Sequence, residues 1–234
     1  MAKLQRFFGK FDLKNKEVET SDRELINQIK NVFRYQKGSE VLLLDDFGME
    51  ALAEIRKIDS DKILFEIQKV SENKNMPKNK VTLYCSLLKK ENFELVAQKA
   101  TEIGVSHIYP LLSARTLKQN IKEERVVKII KEASEQSERG TIPRLHPPIE
   151  FKNAIKNINK EGLNLFFDHS GEQINSAWKQ ETQMVNIFIG PEGGWEDYEI
   201  KEAKESGFKI ASLGKLNLRG ETAAIIATYL ATNL

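Results

Sequence analysis

Apolar positions along the first seventy residues recur in short runs. Val41-Leu42-Leu43-Leu44 is continuous, residues 51–58 and 62–70 alternate, and Asp45-Asp46-Phe47-Gly48 and Asp59-Ser60-Asp61 between them are turn chemistry. The pattern predicts three strands. Ahead of them, Ser21-Asp22-Arg23-Glu24 has the form of a capping box, whose serine and glutamate satisfy free amides at the start of a helix, and it predicts a helix to about Phe33. Residues 72–80 are polar, carry Pro77 and lack an apolar period, which predicts a linker between a small β-rich domain at 1–71 and a second domain at 81–234.

Beyond the linker the rhythm changes. Residues 81–88 are strand-like, and Phe93, Val96, Ala97, Ala100 and Ile103 then recur at helical spacing up to Gly104. Further strands are predicted at 108–112, 163–167, 184–189 and 210–213, with helices near 123–137, 150–160, 196–206 and 221–232. Such alternation predicts an α/β domain, a parallel sheet covered by helices, whose ligands gather outside the carboxyl ends of the strands.

Composition constrains this picture only loosely. Hydrophobic residues make up 40% and charged residues 30%, enough to build a core. Thirty-six cations against 34 acids give a formal charge of +2, too small to diagnose nucleic acid, so any RNA-binding claim rests on local patches. Cys85 is the single cysteine, which excludes an intramolecular disulfide and fits a reduced cytoplasm. The first ten residues lack a signal-peptide core and no apolar run approaches the ~20 residues of a membrane span, so a soluble protein is expected.

Candidate chemistry concentrates at two predicted strand ends. Gly190-Pro191-Glu192-Gly193-Gly194 follows one strand, and Leu213-Gly214 follows another ahead of Leu218-Arg219-Gly220-Glu221-Thr222. Glycine there permits positive φ and lets a ligand approach the backbone, although a bare strand-to-helix turn would use it too. Neither segment is a Walker loop or a Gly-x-Gly-x-x-Gly fingerprint. Glu221 and Thr222 suit the first turn of a helix as well as a catalytic role, while Arg219 suits bidentate capture of a carboxylate or phosphate.

Together, Gly190-Pro191-Glu192-Gly193-Gly194-Trp195 and the stretch from Leu213 to Ala223 resemble the carboxyl-terminal signature of the SPOUT methyltransferases, and among them the small-subunit ribosomal RNA uridine-N3 methyltransferases. The likeness continues through Arg6-Phe7-Phe8, Val32-Phe33-Arg34, residues 98–105 and Glu135-Gln136-Ser137-x-Arg139. It implies a PUA-like β-barrel RNA-binding domain, a SPOUT domain with a deep trefoil knot, a homodimer, and S-adenosylmethionine as methyl donor without a metal. The donor-binding residues so implied are Gly190, Glu192, Gly194, Leu213, Gly214, Asn217 and Leu218, with Phe167 at the first knot loop. The family usually has arginine where Leu216 stands, threonine at Gly220, glycine at Glu138 and histidine at Gln28.

Methyl transfer from a sulfonium is largely a matter of positioning, but uracil N3 must also lose a proton. Arg219, Glu221 and Thr222 are the catalytic candidates, Arg219 to stabilise the developing charge and Glu221 to orient it. Lys3, Arg6, Lys10, Lys14 and Lys16 face only Asp12 among the first sixteen residues, and Arg6, Lys10, Arg34, Arg115 and Arg139 are candidate RNA contacts. His107, His146 and His169 lack ligand spacing, and Asp168-His169-Ser170 lacks the elbow of a hydrolase, so neither a metal site nor a triad is expected. The alternatives are a non-catalytic RNA-binding or ribosome-assembly protein of the same fold and a SPOUT enzyme with another RNA target.

Overall fold

The computed structural model describes residues 4–116, 121–158, 161–174 and 183–233. The chain divides into two compact units, residues 1–76 with 134–142, and residues 77–133 with 143–234.

The first unit is built on β1 (Arg6–Phe8), β2 (Glu17–Thr20), α1 (Arg23–Asn27) running into a π-helical turn at Gln28–Val32, β3 (Glu40–Leu44), β4 (Met49–Ile58) and β5 (Ile63–Glu72). Its five strands lie in the order β1-β3-β4-β5-β2, with β1 parallel to β3 and the other pairs antiparallel. Alternation puts Val41, Leu43, Ala51, Ala53, Ile55, Ile63 and Phe65 on the buried side, where Phe7, Leu25 and Ile29 close over them. The helix starts one residue later than the capping-box reading had it. Asp22, not Ser21, is the cap, its Oδ1 accepting from the amides of Glu24 (2.9 Å) and Leu25 (3.3 Å).

Two features of this unit were not visible as periodicity. Residues 72–76 belong to it, anchored by Asn73, which is 6% exposed and donates from Nδ2 to Glu50 Oε2 (2.8 Å) and the Glu138 carbonyl (3.1 Å). Residues 134–142 also belong to it, because Glu135 accepts from the Phe8 amide (3.1 Å) and from Gln28 Nε2 (3.0 Å), and Glu138 lies 3.3 Å from Arg6 Nη1. These contacts are made by polar side chains, which leave no hydrophobic rhythm.

The second unit contains β6 (Lys80–Ser86), α2 (Lys90–Ile103), β7 (His107–Leu112), α3 (Glu123–Gln136, its last residues in the first unit), β8 (Arg144–Leu145), β9 (Ile149–Glu150), α4 (Phe151–Asn157), β10 (Leu163–Gln173), β11 (Met184–Ile189), α5 (Asp197–Glu205), β12 (Lys209–Ser212) and α6 (Gly220–Thr232). The expected parallel sheet is present. Its order is β12-β10-β11-β6-β7-β8 with β9 against β7, and every pair is parallel. Leu83, Leu165, Ile187 and Phe188 are fully buried, as central strands covered on both faces require. Gly104, at φ 111°, ends α2 in the left-handed conformation that a side chain disfavours.

β10 is longer than the apolar run 163–167 suggests, and it is interrupted. Ala211 of β12 pairs with Phe167 and again with Glu172, so residues 168–171 leave the sheet between two points of registry. Gly171 returns the chain so closely that a Cβ there would lie 2.6 Å from the carbonyl carbons of Ile210 and Ala211.

The histidines also behave differently from their spacing. His107 Nδ1 and His146 Nε2 are 3.0 Å apart, and the His146 ring stacks on Tyr109 at 3.9 Å. Burial lowers both imidazole pKa values, which favours the neutral forms this shared bond needs. Among the described residues no three His, Cys, Asp or Glu side chains converge, and no helix is long and apolar enough to cross a membrane.

Candidate active site

The strands β10, β11 and β12 lie side by side in one sheet, so the segments that follow their carboxyl ends share one edge. Those segments, around Phe167 to His169, Gly190 to Trp195 and Ala211 to Glu221, enclose a cavity of about 750 Å³ together with Lys89 and Asn92 at the start of α2. That size is within the ~300–1,000 Å³ of small-molecule sites.

Short polar links hold the three segments together. Trp195, 6% exposed, donates from its indole Nε1 to the Phe167 carbonyl at 2.9 Å, and its ring lies 4.3 Å from Phe166. Gly190 makes room for it, since a Cβ there would sit 2.9 Å from the indole Cε2. His169 Nε2 meets Asn217 Oδ1 at 3.2 Å, joining the first segment to the third. Asp168 Oδ1 accepts from both the amide and the hydroxyl of Ser170, so this trio makes a local turn and no triad. Arg115 braces the second segment, with Nη1 to the Gly193 carbonyl and Nε to Glu196 Oε1, both at 2.8 Å.

All eight residues implied to bind donor line the cavity: Phe167, Gly190, Glu192, Gly194, Leu213, Gly214, Asn217 and Leu218. Gly194 (φ 70°) and Gly214 (φ 117°) are left-handed, with nothing within 4 Å of where a Cβ would stand, so both expose bare backbone. Arg219 and Glu221 line it as well, whereas Thr222 faces solvent on α6 and is not among the lining residues. Arg219 is the cap residue of α6 with its side chain 86% exposed, 4.0 Å from Glu221 Oε1.

The expected RNA contacts scatter. Lys10 and Arg34 are exposed, Arg34 at φ 57°. Arg6 is instead held against Glu50 and Glu138, and Arg115 is committed to the glycine segment. Arg139 is 3% exposed, with Nε donating to the Thr141 carbonyl and burial pulling its pKa down to about 10. A buried guanidinium so placed does not present itself to a phosphate. Arg115 and His169 are site-building residues that motif reading assigned elsewhere, whereas Trp195 closes the first glycine signature. Nothing in the sequence around Arg115 or His169 marks either for this place.

A sequence model of an RNA methyltransferase domain matches residues 74–232, and one of an RNA methyltransferase PUA domain matches residues 22–68. Ribosomal RNA small subunit methyltransferase E of Mesomycoplasma hyopneumoniae is 39% identical over 166 residues, 68% of this chain and 71% of that one. The chain belongs to the ribosomal RNA small subunit methyltransferase E family. The methyltransferase E structure from Neisseria gonorrhoeae, bound to S-adenosyl methionine, superposes with a TM-score of 0.89 at 26% identity over 97% of this chain and 95% of that one. A Legionella pneumophila protein solved with the cofactor SAM gives 0.89 at 28% identity over 99% and 98%.

The cavity suits the donor that the Neisseria and Legionella structures carry. Its glycine segments offer backbone amides and carbonyls to a nucleoside, and Asp168, Glu192 and Glu221 give its wall carboxylates suited to a cationic ligand. Cys85 does not supply a nucleophile there, because burial, with Glu192 and Glu221 nearby, pushes its thiol pKa up.

Three of the four departures from the methyltransferase E pattern have local accounts. Gln28 reaches Glu135 by its amide. Glu138 stands at φ 63°, where glycine costs ~1–2 kcal/mol less, and uses its carboxylate on Arg6. At Gly220 a Cβ would meet Leu88 Cδ2 at 2.8 Å, so the leucine occupies the space of a larger residue. Leu216 is 79% exposed at the cavity, and nothing in the structure explains it.

Proposed function

We propose that the chain transfers a methyl group from S-adenosylmethionine to N3 of one uridine in small-subunit ribosomal RNA. The three-segment cavity with Arg219 and Glu221 at its wall is the observation that supports this reading. The donor, when bound, supplies a methyl group already activated on sulfur. The backbone of Gly190, Gly194, Leu213, Gly214 and Leu218 orients it, with Phe167, Glu192 and Asn217 completing the wall. Because N3 lies on the pairing edge, the uridine must be unpaired or splayed outward to enter. Arg219 then stabilises the negative charge that develops on the base, or holds an adjacent phosphate, with Glu221 Oε1 4.0 Å from its guanidinium. Thr222, exposed in the first turn of α6, is left with the helix start rather than the base.

Mass spectrometry of small-subunit ribosomal RNA from a strain lacking the gene tests the reaction. One 3-methyluridine should disappear and return with the plasmid-borne gene. Unchanged RNA, with intact folding of the purified protein, would favour a non-catalytic assembly role, and loss of another modified nucleotide would favour a different target. For Arg219→Ala, turnover should fall ~10²–10³-fold, as for removal of one charge-stabilising donor. Donor affinity measured by calorimetry should stay as in wild type, and unimpaired turnover would remove Arg219 from the mechanism.

The first unit is the proposed RNA-holding part, through Lys10 and Arg34 rather than Arg6 or Arg139. Each Lys10→Ala or Arg34→Ala replacement should weaken RNA binding and reduce the slope of log affinity against log salt by about 0.7–0.9. Slopes equal to wild type would place the phosphate contacts elsewhere. A homodimer is part of the proposal, supported by Ile226 and Tyr229, which are 37% and 58% exposed on α6. So are a cytoplasmic location, which the ribosomal substrate demands, and a trefoil knot, supported by the tight passage of Gly171 against residues 210–211.

A further inference from the structure

The proposed reaction needs a group to take the proton from N3, and one carboxylate on the cavity wall stands apart from the other candidates. Asp168 Oδ1 already accepts twice from Ser170. His169 Nε2 is 3.2 Å from the Asn217 amide oxygen and shares a hydrogen bond with it. Glu192 is exposed and accepts from the Lys89 amide. Glu221 differs from all three. It is 8% exposed and lines the cavity, and its Oε2 is buried without a hydrogen-bond partner, while Oε1 is the oxygen that lies 4.0 Å from Arg219. A desolvated carboxylate oxygen with no donor is costly to keep unless something in the working complex donates to it.

We infer that the Glu221 carboxylate is the general base of the reaction, turning its unpartnered Oε2 toward the bound uridine in the working complex and accepting the N3 proton. This rests on the N3 reading above. The N3–H bond breaks and its proton passes to Oε2. The electron pair left on N3 forms the new bond to the methyl carbon, and the methyl–sulfur bond breaks with its pair remaining on sulfur. Arg219, next to the other oxygen, compensates the charge on the pyrimidine while the proton is in transit. The two residues, two apart at the start of one helix, divide the work of making and bearing the anion.

The test compares wild type with Glu221→Gln, which keeps shape and removes basicity, on small ribosomal subunits lacking the modification. At pH 7 the variant should turn over ~10²–10⁴-fold more slowly, the range for loss of a general base. The deficit should shrink about tenfold per pH unit up to pH 9, as hydroxide replaces the missing carboxylate. Calorimetric affinity for S-adenosylmethionine should match wild type. A deficit equal at all pH values, or turnover like wild type, would overturn the assignment. Weaker donor binding in step with the lost rate would overturn it too, by making Glu221 a ligand for the donor's ammonium. Glu221→Asp, which withdraws the carboxylate by one methylene, should retain the wild-type pH profile at reduced rate, and serves if the glutamine variant does not fold. Wild-type protein that makes no 3-methyluridine would sink the reaction itself before any variant is compared.

Discussion

Replacing Trp195 by alanine should cost about 3–5 kcal/mol of stability, the range for removing a buried large aromatic. It should also abolish tight donor binding. The indole ties the Gly190–Trp195 segment to the end of the first half of β10 through its bond to the Phe167 carbonyl. Its ring is packed among Phe151 and Phe166, so truncation leaves a cavity beneath the site as well as an unsatisfied carbonyl. Trp195→Phe separates the two effects. It keeps most of the packing, so the loss should be nearer 1–3 kcal/mol, the cost of leaving that carbonyl unpaired. Thermal unfolding, at about 2–4 °C per kcal/mol for a chain of this size, and calorimetry with S-adenosylmethionine read the two quantities. If Trp195→Phe binds donor and melts as wild type does, the indole bond contributes nothing.

Gly171→Ala should do comparable harm by the opposite route, adding one carbon where there is no space. The new Cβ would meet backbone carbons of residues 210 and 211, which cannot rotate away as a side chain could, so β10 and β12 must separate. Overpacking of this kind costs about 1–3 kcal/mol, and against backbone the upper end is expected. Asp168 and His169, just ahead of Gly171, line the cavity, so donor affinity should fall at least about tenfold, equivalent to ~1.4 kcal/mol. An alanine variant with wild-type affinity and melting would mean that the two strands are not constrained there.

Much of the fold was legible because its segments are amphipathic or buried in the ordinary way. The 184–189 run became β11 residue for residue, and Phe93, Val96, Ala97 and Ala100 are all fully buried along α2. The glycine segments were legible as ligand turns, and their donor assignment came from resemblance. What escaped was held by polar groups or by return of the chain. Asp168-His169-Ser170-Gly171 reads as the end of a strand, and only the second pairing of Ala211, with Glu172, makes it an excursion within one. Arg139 looks like a surface cation because arginine usually is one, and its burial depends on the Thr141 carbonyl beside it. Glu135 gives no sign in sequence that it will satisfy the Phe8 amide 127 residues away.

The doubled registry of Ala211 also ties occupancy of the cavity to folding. The walls come from Phe167, Gly190 and Gly214 and their neighbours, and they exist as one surface only once β12 has docked against both halves of β10. An unfolded or half-assembled chain therefore has no cavity to offer, and whatever binds there adds its free energy to that of the folded state alone. At a ligand concentration a hundredfold above its dissociation constant that amounts to ~2.7 kcal/mol. In a cell rich in ligand, the second unit is correspondingly harder to unfold and to degrade.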